Sequence, residues 1–127
     1  MTPLRHTATW VPERGGVIWI NHNPQAGREM KDHHPFLVLS TSSFHQTVGL
    51  VVGCAMTTAP YNRGSSLAVD LGPLPDRQER HSFVLCQQLK SFDWQARGAR
   101  PHPMGSIPAQ KLQQVLEIVG QILSLVP

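Results

Sequence analysis

The fold of this chain turns on the stretch "PFLVLSTSSFHQTVGLVVGCAMTT", Pro35 to Thr58. It holds two apolar runs, "PFLVLSTS" and "VGLVVGCAMTT", with a short polar link between them. A strand with one wet face alternates apolar and polar residues. These runs are almost continuous, as strands buried on both sides of a small barrel are. Joined so closely, they read as a hairpin.

Working outward, "GGVIWINH" (Gly15–His22) follows a Gly-Gly turn and is rich in β-branched and aromatic residues, a further strand. "NPQAGREMKDH" between them is a long polar loop. Downstream, "APYNRGSS" is a loop, "LAVDL" a short strand, "GPLPDRQERH" a second polar loop, and "SFVLCQQLKSFDW" is strand-like in its first half. Gly98 to Gly105, with two prolines and two glycines, is expected to be irregular. Then the period changes. Leu112, Val115, Leu116, Val119, Ile122, Leu123 and Val126 recur at three- and four-residue spacing, the apolar stripe of a helix, with Ser106 as its N-cap. The expected fold is mainly β, a small SH3-like barrel of about five strands with a C-terminal α-helix. Residues 1–12 read as a flexible arm with Trp10 as an anchor, and 13–127 as a single domain.

The totals bound the function. At 127 residues the chain holds one core and not two. A net charge of +3 leaves room for a polyanionic partner without demanding one. No apolar run reaches the roughly 18 residues of a membrane span, and "MTPLRHTATW" lacks the apolar centre of a secretory signal, so the cytoplasm is the expected compartment. Cys54 and Cys86 lie in apolar runs and read as reduced core thiols. Seven histidines occur without HExxH or CxxC spacing, so neither a metal nor another cofactor is expected.

Four segments, "RGGVIWINHNPQAGRE", "HHPFLVLS", "GLVVGCAMTT" and "LCQQLKSFDWQARG", resemble in order and spacing the MazF/PemK toxin endoribonucleases. Each is weak alone; together they are specific. The resemblance implies a homodimer that cleaves single-stranded RNA without a metal, by attack of the 2′-hydroxyl on the adjacent phosphate. It also implies an acidic antitoxin, MazE-like, lying across the dimer. A near-continuous apolar strand and an amphipathic helix in so small a barrel point the same way, to a two-fold interface. The alternatives are a family member that only binds RNA or antitoxin, and a CcdB-like poison of a DNA topoisomerase.

The reaction needs a group to take the 2′-proton, one to protonate the leaving 5′-oxygen, and donors for the phosphorane oxygens. By resemblance, Thr57 falls on the catalytic threonine and Glu29 on the acid of "GxE". His34 stands where the family has a catalytic arginine, "HP" in place of "RP". Other departures run in one direction. Gly16 stands where the family usually has Asp, and Asn21 and Gln87 replace acids, while Gln88 is retained. Asn21, Arg28, Lys31, His33, Gln87, Gln88 and Lys90 are the candidate RNA-binding residues, with Arg97 and Arg100 as further phosphate contacts. Trp19, Phe92 and Trp94 read as core or dimer-contact aromatics and not as base-stacking platforms.

Overall fold

A computed structural model describes residues 10–125. Most of the arm expected at the N-terminus, and Val126 of the helical stripe, lie outside them. In chain order the elements are β1 (Gly16–Asn21), β2 (His33–Val38), α1 (Ser42–Val48), β3 (Leu50–Thr57), a 3-10 turn (Pro60–Asn62), β4 (Ala68–Leu74), β5 (Arg77–Asp93), β6 (Arg100–Ser106) and α2 (Ala109–Ile122). The strands form one antiparallel sheet in the order β4-β5-β3-β2-β1-β6. The sheet curls into a half-barrel, with α2 packed on β4 and β5.

Continuous hydrophobicity in β2 and β3 has the expected cause. Leu37 and Leu39 join Val17, Cys54, Met56 and the helix residues Val115 and Val119 in one buried cluster. Phe36 and Val38 point the other way, to Ile18, Ile20, Val51, Phe92 and Trp94. Both faces of β2 are therefore dry. In β3, Val51, Cys54, Ala55 and Met56 are covered within the chain itself, while Leu50 and Val52 stay half-buried. Trp10 packs edge-on against Trp94, ring centres 5.9 Å apart, and anchors the entry to the first strand.

Four expectations are corrected. The β2–β3 link is not a bare turn, because residues 42–48 form α1. Thr41 caps it, its hydroxyl accepting from the Phe44 amide, and Gly49 ends it at φ 81°, a left-handed conformation that suits glycine. Seven residues are too few to display a helical period. "GPLPDRQERH" is not a loop: β4 and β5 meet in a hairpin through it, and β5 runs 17 residues. Residues 100–106 are a strand, and their prolines are tolerated because β6 lies at the sheet edge. Finally, the N-cap of α2 is Pro108, with no side-chain cap bond, and not Ser106.

Gly53 shows how closely β2 and β3 are packed. A Cβ there would lie 1.9 Å from the Leu37 carbonyl oxygen and 2.7 Å from the Phe36 ring. The nearer obstacle is backbone and cannot rotate away. Gly53→Ala should cost ~3 kcal/mol, the upper part of the usual overpacking range, read as a lower urea midpoint at unchanged slope.

Candidate active site

The β2–β3 ladder pairs Phe36 with Ala55 and Val38 with Gly53. Extending that register by two residues sets His34 opposite Thr57, on the face that Phe36 occupies further in. Both side chains are half-buried at the strand ends and line the same cleft of about 340 Å³. Arg28, Glu29, Lys31 and Gln88 line it too. Of the expected residues, six thus come together.

The His34 ring is oriented by its own loop. Its Nδ1 lies 2.8 Å from the Lys31 carbonyl oxygen. A carbonyl only accepts, so Nδ1 carries the hydrogen, and Nε2 is the atom that gains or loses a proton. Protonated, Nε2 donates; neutral, it accepts. The Thr57 hydroxyl accepts from the Ala59 amide at 3.2 Å and keeps its own hydrogen to give.

The β1–β2 loop is pinned to the sheet from three sides. Gln88 on β5 accepts from the Met30 amide at 2.7 Å and donates to the Arg28 carbonyl at 3.1 Å. Asn23 and Asp32 bond each other at the neck, at 2.9 and 3.0 Å. Arg97 donates to the carbonyls of Asn21 and Asn23 and lies over the Phe92 ring. One amino group of Arg97 is therefore committed to the loop.

Glu29 pairs with Lys90 at 3.0 Å and accepts from the Ala26 amide at 3.2 Å. The Lys90 bond, then the Ala26 amide, hold its carboxyl below the usual carboxylate range. It stays ionised, but as a weak base. Lys90 and Gln87 line an adjoining cleft of about 1060 Å³, continuous with the first through Arg28, Glu29 and Gln88. His33 lines a different groove, and Asn21 stands apart, its side chain accepting from the Asn23 amide.

Two groups escaped the sequence reading. Tyr61, on the 3-10 turn, is 86% exposed and lines both clefts. The turn is fixed by buried Asn62, which donates to the Ala59 carbonyl, so the ring is presented on a firm support. The signal was there, one aromatic in a polar loop, but loop aromatics carry no period. His22 is buried behind His34, their ring centres 6.3 Å apart, and its Nε2 has no hydrogen-bond partner among the described residues. Burial first, then the charge of His34, lowers its pKa to about 4, against a hydrogen bond to the His34 backbone. His22 is neutral at pH 7.

A family model described as "PemK-like, MazF-like toxin of type II toxin-antitoxin system" matches residues 13–123. The endoribonuclease toxin MazF of Escherichia coli K12 is 32% identical over 106 residues, 84% of this chain and 88% of that protein. The crystal structure of MazF from Deinococcus radiodurans superposes with a TM-score of 0.77 at 30% identity, over 91% of this chain and 98% of that one. A MazE-MazF structure from the same organism gives 0.72 at 31% identity, over 92% and 99%.

Proposed function

Because the chain belongs to the PemK-like, MazF-like toxin family of type II toxin–antitoxin systems, we propose that it cleaves single-stranded RNA without a metal, in the cytoplasm. The observation that carries this is the cleft in which His34 and Thr57 face each other across β2 and β3, flanked by Arg28 and Lys31. The 2′-oxygen attacks the adjacent phosphorus, and the bond from phosphorus to the 5′-oxygen breaks. The products are a 2′,3′-cyclic phosphate and a 5′-hydroxyl. Protonated His34 gives the Nε2 proton to the departing 5′-oxygen. The Thr57 hydroxyl and Arg28 guanidinium hold the phosphorane oxygens, where charge accumulates. Glu29 takes the 2′-proton; its pairing with Lys90 keeps it charged at the expense of basicity.

The partners follow the family. A homodimer is proposed on that ground, and an acidic MazE-like tail is proposed to occupy the basic clefts, with affinity that falls as salt rises. The MazE-MazF structure from Deinococcus radiodurans supports this reading.

Incubating the protein with a long single-stranded RNA, with and without EDTA, tests the reaction. Expected are discrete fragments in both tubes, ending in 2′,3′-cyclic phosphate. Intact RNA in both would leave a binding protein or a topoisomerase poison. Tyr61→Ala should weaken binding of uncleavable RNA by roughly 10-fold, the scale of one lost base stack, read by fluorescence anisotropy. So exposed a ring contributes little to the fold, and the melting temperature should not move.

A further inference from the structure

His34 and Thr57 also line a second opening, a groove of about 470 Å³ whose lining does not include Tyr61. Its apolar wall is made by Trp19, Pro35, Leu74 and Met104, and Thr58 and Ser82 add hydroxyls. Trp19 follows Val17 on the side of β1 that faces the helix core, but α2 packs on β4 and β5 and leaves this end of the face uncovered.

Trp19 is held by structure on three sides. Pro35 is its partner across β1–β2 and Arg100 across β1–β6. The His102 ring leans on the indole, ring centres 4.7 Å apart at 40°. His102 is itself oriented, its Nδ1 accepting from the Met104 amide at 3.0 Å. That places its hydrogen on Nε2, and burial favours the neutral ring. An indole backed by an uncharged imidazole offers a π-face and one N–H donor. The volume falls within the range of small-molecule sites, and a flat aromatic, an apolar wall and a few hydroxyls suit a base, whose edge can also meet His33 and the Asp76 carboxylate of the same lining.

We propose that this groove is a nucleobase subsite, in which Trp19, steadied by His102, stacks on a base of the nucleotide next to the phosphate held by His34 and Thr57. The assignment rests on the RNA-cleaving reading above and gives that reading a specificity element. The strand would cross the reacting pair with an aromatic ring in each opening, Tyr61 in one and Trp19 in the other.

The test uses the intact protein and an RNA oligonucleotide spanning the cleavage position mapped on the parent. Deoxyribose at that position removes the attacking hydroxyl. Dissociation constants are measured by anisotropy for the parent, Trp19→Phe, Trp19→Ala and His102→Ala, against the full oligonucleotide and against versions with one base removed at each position in turn. Trp19→Ala should bind about 10-fold or more weakly and Trp19→Phe close to the parent. Removing one base beside the cleavage position should cost the parent as much and cost Trp19→Ala nothing further. Should Trp19→Ala fold poorly, Trp19→Phe and the base-by-base scan on the parent still decide, since a base subsite requires one position next to the cleavage site to be sensitive. The proposal is overturned if no such position exists, or if Trp19→Ala binds like the parent. It is overturned equally if Trp19→Ala turns a dimer into a monomer in sedimentation equilibrium without coupling to any base, which would make the groove an interface between copies. A parent that neither binds nor cleaves RNA removes the underlying reading as well, whereas a parent that cleaves beside an indifferent Trp19→Ala removes the subsite alone.

Discussion

His34→Ala should slow RNA cleavage by ~10²-fold or more, the scale on which a general acid or an oxyanion donor contributes. The charge on a histidine is conditional where that of an arginine is permanent, so the parent's rate should fall as the pH is raised. With Nδ1 committed to the Lys31 carbonyl, only Nε2 changes state, and the deprotonated ring presents a lone pair where the 5′-oxygen needs a proton. His34→Arg should raise activity at pH 8 and flatten the profile. His33→Ala should change the rate far less, since His33 does not line the cleft that His34 and Thr57 share with Arg28 and Lys31. Initial rates on one oligonucleotide across the pH range check all four proteins. A His34→Ala protein as fast as the parent would move the chemistry off the "HHP" turn altogether.

How far the sequence reaches depends on the range of the cause. Two-sided burial of β2 and β3 was legible because it forces each residue in the run to be apolar, and the stripe of α2 because it repeats for several turns. What failed was short or built by distant partners. α1 is a Thr cap, a Gly stop and one buried histidine, His45, whose Nδ1 donates to the Pro12 carbonyl 33 residues away. β6 is a strand because β1 offers it an edge, against the local preference of its prolines and glycines. For the site, a motif could bring His34, Thr57 and Glu29 to notice, since their spacing follows the strands that carry them. It could not show that Lys90 is tied to Glu29 or that Arg97 serves the loop, because those pairings cross from one element to another. Nor could it show that Trp19, on an apolar strand, is left uncovered by the helix.

Lowering the pH from 7 to 4.5 should lower the melting temperature by several degrees, chiefly through His22 and His45, two of the three histidines whose pKa burial lowers, His102 being the third. His22 is 3% exposed among Phe36, Phe92 and the His34 ring, and its pKa is lowered to about 4 by burial, with the charges of His34, Arg97 and Lys90 adding to it. His45 is sealed between the Pro12 carbonyl at 2.7 Å and the Ser40 hydroxyl at 2.6 Å, and burial lowers its pKa as well. In the unfolded chain both titrate near 6.5. Between that value and about 4, the unfolded state binds protons that the folded state refuses, so stability rises with pH in this window and is lost as the pH falls through it. The carboxyls of Glu29 and Asp70, held below their ordinary range in the fold, add to the loss only at the lower end of this window. For His22 the loss amounts to about 1–3 kcal/mol once screening of the exposed cations is allowed for. His22→Phe separates the two histidines. Its ring suits the aromatic surroundings and removes the unpartnered Nε2 together with the bond to the His34 backbone, two opposed effects, so stability at pH 7 should change little while the acid limb becomes shallower. Calorimetry of both proteins at pH 7, 6, 5 and 4.5 measures this. Parallel melting curves for the two would mean that the acid sensitivity lies outside His22.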